Sequence, residues 1–309
     1  MIYTLTLNPA LDLELTVDSL PFNQVLRARD TRTDCGGKGF NVSRALAALG
    51  QKSTALGFVG GSTGERLEKA LRKMGIRTDF VYVSEETRTN VSIVTDPSSD
   101  YLKVNQPGPT IRSAEIEALF QKIQMLAKAS DYWVLSGSLP PGAAADIYAQ
   151  IIQVVQANGA KAVLDTSGEP LRLGCSARPY LVKPNLLEAR QLTGIEIEGR
   201  AAAFTAAEKI RSLGAAVVVI SLGEQGAILD NGEVSVLAEP PTIQEHNPIG
   251  AGDALVAGLV WGLNQGKSLI EALRWAVASG AAAASLPGTG VGSLEQIEQL
   301  EKEISVTTL

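Results

Sequence analysis

Apolar and polar positions along the chain switch repeatedly between two periods. Residues 2–7, Ile2-Tyr3-Thr4-Leu5-Thr6-Leu7, read as a strand, and residues 52–60 read as another. A helix is predicted over 63–74, with Leu67, Leu71 and Met74 on one face. Tyr132 to Leu135 reads as a buried strand, followed by a helix over about 144–156. Ala162-Val163-Leu164 and Tyr180-Leu181-Val182 are short apolar strands. Ala216-Val217-Val218-Val219-Ile220 is apolar without alternation, the mark of a central strand covered on both faces. Three helices follow, over about 252–264, 269–285 and 294–304. This βα rhythm predicts a doubly wound, mostly parallel α/β sheet flanked by helices, with ligands beyond the C-terminal strand ends.

Two stretches depart from that rhythm. Residues 12–34 alternate and lack a helical period, as do residues 88–105 around a turn at Pro97-Ser98-Ser99-Asp100. They are either long surface hairpins or, the expected arrangement, one small β-sheet lid built from about 12–35 and 87–106. No linker or repeat divides the 309 residues, so the chain is expected to form a single domain, 1–309, carrying that lid.

Apolar residues make up 45%, which suits a sizeable core. A net charge of −6 argues against a general nucleic-acid binder, so any phosphate must be gripped locally. The apolar run at 276–286 is too short to span a membrane. Two cysteines, Cys35 and Cys175, make no disulfide framework, and no signal peptide is visible, so a cytoplasmic protein is expected. The single histidine, His246, argues against histidine-based catalysis; with no Cys/His cluster, any metal should be a hard ion held by oxygen.

The most informative stretch is Asn247-Pro248-Ile249-Gly250-Ala251-Gly252-Asp253, which runs into an apolar helix. Leu255, Val256, Leu259, Val260 and Leu263 recur at helical spacing and predict one buried face. Gly250, Ala251 and Gly252 sit where helix N–H groups lack partners and favour an anion. Asp253 reads either as a cap or as a base beside that anion hole. The second glycine loop, Gly36-Gly37-Lys38-Gly39-Phe40-Asn41, also opens a helix; Gly39 stands where a Walker loop needs Ser or Thr. Lys183-Pro184-Asn185 follows a strand, and Glu188 shares a helix face with Asn185; this is either a cap or a water-mediated magnesium site. Ser221-Leu222-Gly223-Glu224-Gln225-Gly226 ends the apolar strand, as a turn or as a nucleotide flank. Arg27 and Arg88 lie in the lid stretches and, with Lys38, are candidates for gripping a phosphate.

These residues resemble the ribokinase-like (PfkB-type) sugar kinases. The resemblance rests on Gly36 to Gly39 with Asn41 and on Gly250 to Asp253. It rests also on Leu7-Asn8-Pro9-Ala10-Leu11-Asp12, Thr87-Arg88-Thr89-Asn90, Ser136-Gly137-Ser138-Leu139-Pro140-Pro141-Gly142 and Val182-Lys183-Pro184-Asn185, in that order. It spans the whole chain and is strongest to the phosphosugar branch: 1-phosphofructokinase, tagatose-6-phosphate kinase and the minor-type 6-phosphofructokinase.

The resemblance implies ATP- and Mg2+-dependent phosphorylation of a ketohexose phosphate, fructose 1-phosphate foremost. Asp253 would be the base and Gly250, Ala251 and Gly252 the anion hole. Asp12, Gly37, Gly39, Asn41 and Ser136 would hold the sugar; Lys38, Arg88 and Arg27 would hold its phosphate. Lys183, Asn185 and Glu188 would serve ATP phosphates, the last two holding magnesium through water. Ser221, Gly223, Gly226, Val277 and Gly280 would flank the nucleotide. It also implies a homodimer through the lid. Pro248 departs from the Thr or Ser of many members and is similar to tagatose-6-phosphate kinases. The rivals are a kinase for an unphosphorylated sugar and a non-catalytic sugar-phosphate sensor. A dinucleotide oxidoreductase lacks its early Gly-x-Gly-x-x-Gly unit.

Overall fold

A computed structural model describes residues 1–95, 100–288 and 290–308. Among them, eleven strands form one sheet. Its parallel part runs Val217–Ser221, Leu181–Val182, Lys161–Asp165, Tyr132–Ser136, Ile2–Thr6, Thr54–Val59, with Arg77–Thr78 and Val81–Tyr82 both parallel to the last. Beyond Val217–Ser221 the sheet turns antiparallel through Ala227–Asp230, Ser235–Glu239 and Ser305–Thr308. The predicted central strand therefore marks the seam between the two regimes.

Both faces of the sheet are covered, which is why its strands do not alternate in polarity. Tyr3, Leu5, Trp133 and Leu135 face one apolar layer, with helices Ser113–Leu126, Ile147–Ala157 and Gly199–Ser212 upon it. Ile2, Tyr132, Val134 and Val163 face the other, beneath Lys38–Ala48, Ala251–Asn264, Leu269–Ala284 and Leu294–Glu303. Thr6, Ser136, Asp165 and Ser221 all end parallel strands, so the fold places them along one edge.

The two departing stretches pair as expected. Asp30–Gly36, Ala10–Val17, Arg88–Thr95 and Tyr101–Val104 form a separate four-stranded sheet. Pro97, Ser98 and Ser99 of the expected turn lie outside the described residues.

Three expectations are corrected. The first long helix ends at Lys73, so Met74 is its cap and is half exposed, while Leu67 and Leu71 are buried. Helix Ala251–Asn264 is buried nearly all round rather than on one face, because it is sandwiched between Lys38–Ala48 and Leu269–Ala284; Leu263 alone of the predicted positions stays partly exposed. The antiparallel strands at 227–239 did not emerge from the βα rhythm at all.

Candidate active site

A cavity of about 1150 Å³ opens where the strand ends, the two glycine loops and the small sheet converge. Each glycine loop starts a helix. Gly37 precedes Lys38–Ala48 with φ 130°, a conformation that side chains disfavour. Gly39 serves packing: a Cβ there would stand 2.5 Å from Thr6 Oγ1 and 3.0 Å from the Leu5 carbonyl oxygen, so only glycine lets this helix approach the first strand. Gly250 is left-handed at φ 86° and caps Ala251–Asn264. A Cβ on Gly252 would point at Lys183 Nζ, 3.7 Å away. The Ala251 N–H donates to the Pro248 carbonyl at 3.2 Å. The helix start thus presents chiefly the N–H groups of Gly252 and Asp253, which have no carbonyl partner within the helix.

The two glycine-loop helices pack on each other. That contact brings Asn41 to Asp253, 212 positions away, and Asn41 Nδ2 donates to Asp253 Oδ2 at 2.8 Å. Asp253 is only 7% exposed yet lines the cavity. Burial, then the charge of Asp165, push its carboxyl up to about 6; Lys38, the Asn41 amide and Lys183 pull the other way. A carboxylate in this state is a competent proton acceptor near neutrality.

Asp165 ends its strand fully buried. Its Oδ1 accepts from Lys38 Nζ at 3.1 Å and faces Lys183 Nζ at 3.4 Å. Burial would raise this carboxyl, but Lys183 and Lys38 together hold it below the usual carboxylate range. The Lys38 ammonium is driven upward: burial opposes its charge, and Asp165, Asp253 and Glu188 overcome that. Two cations and two carboxylates thus meet at the cavity, Lys38, Lys183 and Asp253 in its lining and Asp165 buried behind it.

Asn185 and Glu188 form a reciprocal cap: Glu188 N–H donates to Asn185 Oδ1 and Asn185 N–H to Glu188 Oε2, each at 2.8 Å. Both also line the cavity, so the capping reading holds without removing them from the site. Their ligating atoms are oxygens, and both Asn185 Oδ1, the only oxygen of that side chain, and Glu188 Oε2 already accept an N–H. That fits magnesium held through water and not a closed protein cage.

At the opposite end, Asn90 Nδ2 donates to Asp12 Oδ1 at 2.8 Å. Arg88 donates to the carbonyls of Asn8 and Gln106 at 2.9 Å and of Pro9 at 3.4 Å, tying the small sheet to the body. Asn8 Nδ2 likewise joins Pro107 and Leu139 carbonyls at 3.0 and 3.2 Å. Thr6 Oγ1, Asn8 Oδ1 and Asn90 Oδ1 are buried without a hydrogen-bond partner among the described residues, an arrangement that suits hydroxyl donors of a polar ligand.

The cavity gathers Asp12, Gly37, Lys38, Asn41, Arg88, Lys183, Asn185, Glu188, Ser221, Gly223, Gly226, Gly250, Ala251, Gly252, Asp253, Val277 and Gly280. Three sequence candidates do not line it. Arg27 is exposed on the segment joining two strands of the small sheet, and Gly39 is spent on packing. Ser136 is fully buried, and Ser138 reaches the cavity instead. His246 is a loop residue whose N–H meets the Ala284 carbonyl. The sequence pattern does not single out Asp165, although an acid ending the apolar run 162–164 is its signal, and Asn8 and Asn90 stand out there only as parts of motifs.

The family model for pfkB carbohydrate kinases matches residues 6–297. A 1-phosphofructokinase of Bacillus subtilis is 37% identical over 309 residues, covering 100% of both chains. A tagatose-6-phosphate kinase of Staphylococcus epidermidis is 32% identical over 318 aligned residues, covering 99% of both. Among solved structures, the tetrameric inhibited form of phosphofructokinase-2 from Escherichia coli superposes with a TM-score of 0.91 at 32% identity, covering 98% of each chain. The glycine loops, the buried acid between them and the full-length similarity agree: this chain belongs to the pfkB family of carbohydrate kinases, among its phosphosugar kinases.

Proposed function

We propose that the protein transfers the terminal phosphoryl group of ATP to a ketohexose phosphate, fructose 1-phosphate before others, yielding fructose 1,6-bisphosphate and ADP. The observation that carries this reading is the placement of Asp253. Its carboxyl is oriented by Asn41, raised to about 6, and set at a helix N-terminus inside one cavity with Lys38 and Lys183.

In this reading Asp253 takes the proton of the acceptor hydroxyl as that oxygen bonds to phosphorus and the bond from phosphorus to the ADP oxygen breaks. N–H groups of Gly252 and Asp253, with Lys38 and Lys183, meet the negative charge on the moving group. Magnesium, when bound through water at Asn185 and Glu188, would offset phosphate charge. Asp12 and Asn41 hold sugar hydroxyls, and Arg88 holds the existing phosphate. The glycine turn at Ser221, Gly223 and Gly226 and the helix bearing Val277 and Gly280 flank the nucleotide. The small sheet acts as a lid that excludes water, which otherwise competes as acceptor.

The similarity to 1-phosphofructokinases favours fructose 1-phosphate. Asn247-Pro248, beside the site, together with the tagatose-6-phosphate kinase relative, favours tagatose 6-phosphate as the second reading. Steady-state ADP release with fructose 1-phosphate, fructose 6-phosphate and tagatose 6-phosphate decides. We expect kcat/KM for fructose 1-phosphate to lead by about tenfold or more. A lead for tagatose 6-phosphate would select the second reading; no sugar-dependent ADP release with any of the three would overturn both.

The raised Asp253 carboxyl gives this activity a defined acid limb. Only the ionised form accepts a proton, so activity should be half-maximal near pH 6, approach its full value about one unit above, and fall as pH drops further. The residual activity of Asp253→Asn should lack that limb, although the sugar phosphate's own ionisation near 6 remains. A limb unchanged in that variant would assign it to the substrate.

We further propose that the protein self-associates through the lid. Tyr101–Val104 is an edge strand with Tyr101, Leu102 and Val104 exposed, and Phe22 and Val25, on the connection to the strand at the sheet's other edge, are almost fully exposed. Such a surface is unusual for a monomer.

A further inference from the structure

The side-chain amide of Asn41 presents a chemical choice that its shape does not make. Turned by 180°, it fills the same volume but offers an acceptor where it had offered a donor. Facing Asp253, the donor end supports an ionised carboxylate and the acceptor end repels it. Packing alone does not distinguish the two. A hydrogen-bond partner on the far side does.

That partner is present. Arg44 lies one helical turn beyond Asn41 on the same face of Lys38–Ala48, and its Nη1 donates to Asn41 Oδ1 at 3.4 Å. A guanidinium has donors and no acceptor, so it can bind only the oxygen end of the amide. With the oxygen so engaged, the nitrogen is turned to Asp253 Oδ2.

We propose that Arg44 is a positioning residue for phosphoryl transfer: it fixes which end of the Asn41 amide meets Asp253, and thereby keeps the base ionised and leaves Oδ1 for the acceptor hydroxyl. The inference rests on the reading of Asp253 as the base. Arg44 acts through Asn41 and not by its own charge. The leading charges that bear on Asp253 are those of Asp165, Lys38 and Lys183. Arg44's charge bears on the buried Cys35 thiol, which burial pushes up to about 11 and Arg44 pulls back.

The test is the pH profile of kcat/KM for ATP-dependent phosphorylation of the best sugar phosphate. Arg44→Met keeps the stem and removes the donors. Its acid limb should move up by about half to one pH unit, with about two- to fivefold lower kcat/KM at pH 6 and little change at pH 8.5. Arg44→Glu, which puts an acceptor beside Oδ1, should move the limb further, and Arg44→Lys should restore most of the loss. In an Asn41→Ala background, Arg44→Met should add no shift, because the group it orients is gone. The substrate's own ionisation is common to all these enzymes and cancels.

An unmoved limb in both Arg44→Met and Arg44→Glu, or an undiminished shift in the Asn41→Ala background, would overturn the proposal. Asp253→Asn separates the two levels. If that enzyme turns over normally, the reading of the base fails. If it is inactive while the Arg44 variants keep the parental limb, only the positioning role fails.

Discussion

Asp253→Asn should lower turnover by about a hundredfold or more while raising the melting temperature. The two effects share one cause. An ionised carboxylate at this position has lost most of its water and faces the negative charge of Asp165, which raises its pKa from 3.8 to about 6. The folded protein therefore holds a proton there more tightly than the unfolded chain does. Above about pH 6 the ionised group costs stability, and the cost is relieved as pH falls through 6 towards 4. Asparagine removes the charge, keeps an oxygen for the Asn41 amide and cannot accept the hydroxyl proton. At about 1.4 kcal/mol per pK unit, the gain is on the order of 2–3 kcal/mol at pH 8 and vanishes near pH 4. Calorimetry at the two pH values, beside a turnover assay, checks both halves. A variant that turns over normally would remove Asp253 as the base; one that melts lower at pH 8 would show that its charge is not under strain.

Asp165→Ala should have the largest effect on stability. The carboxylate is fully buried between Lys38 and a Lys183 ammonium that is itself only 3% exposed. Removing this partner leaves the two cations with Asp253 as the carboxylate that still bears on both, which costs roughly 3–5 kcal/mol. For a chain of this size that lowers the melting temperature by about 5–8 °C. Asp165→Asn should lose less, since an amide oxygen still accepts from Lys38. Here the pH sign is opposite to that of Asp253. The Asp165 carboxyl is held below its ordinary range, so its contribution is complete above that range and is lost as pH falls beneath it. Denaturant titration at neutral pH measures the loss. A midpoint within experimental error of the parent would show that water compensates the lysines.

Much of the site was readable where its signal is local. A glycine pair running into an apolar helix marks an anion-friendly terminus within a dozen residues, and both such loops line the cavity. The alternation in 12–34 and 88–105 likewise reported a separate sheet, because a period of two survives wherever one face stays exposed. What escaped depended on distant partners. Asp165 by itself is an acid ending a strand; it is tied to the site only because Lys38, 127 positions away, reaches it. Ser136 and Ser138 are indistinguishable as letters, and the strand's last residue is the one buried. The antiparallel hairpin at 227–239 did carry a local sign, Asn231-Gly232, with Asn231 Oδ1 accepting from the N–H groups of Glu233 and Val234. The dominance of the βα rhythm masked it. Met74 was misplaced because a helical period says nothing of where the helix stops.

The bond between Asn41 and Asp253 joins segments from near opposite ends of the polypeptide. Synthesis proceeds from the amino end, so a growing chain on the ribosome carries the first glycine loop long before its counterpart has left the tunnel. A fragment that stops short of residue 250 holds Asn41 without Asp253, and the pair exists only once Ala251–Asn264 packs against Lys38–Ala48.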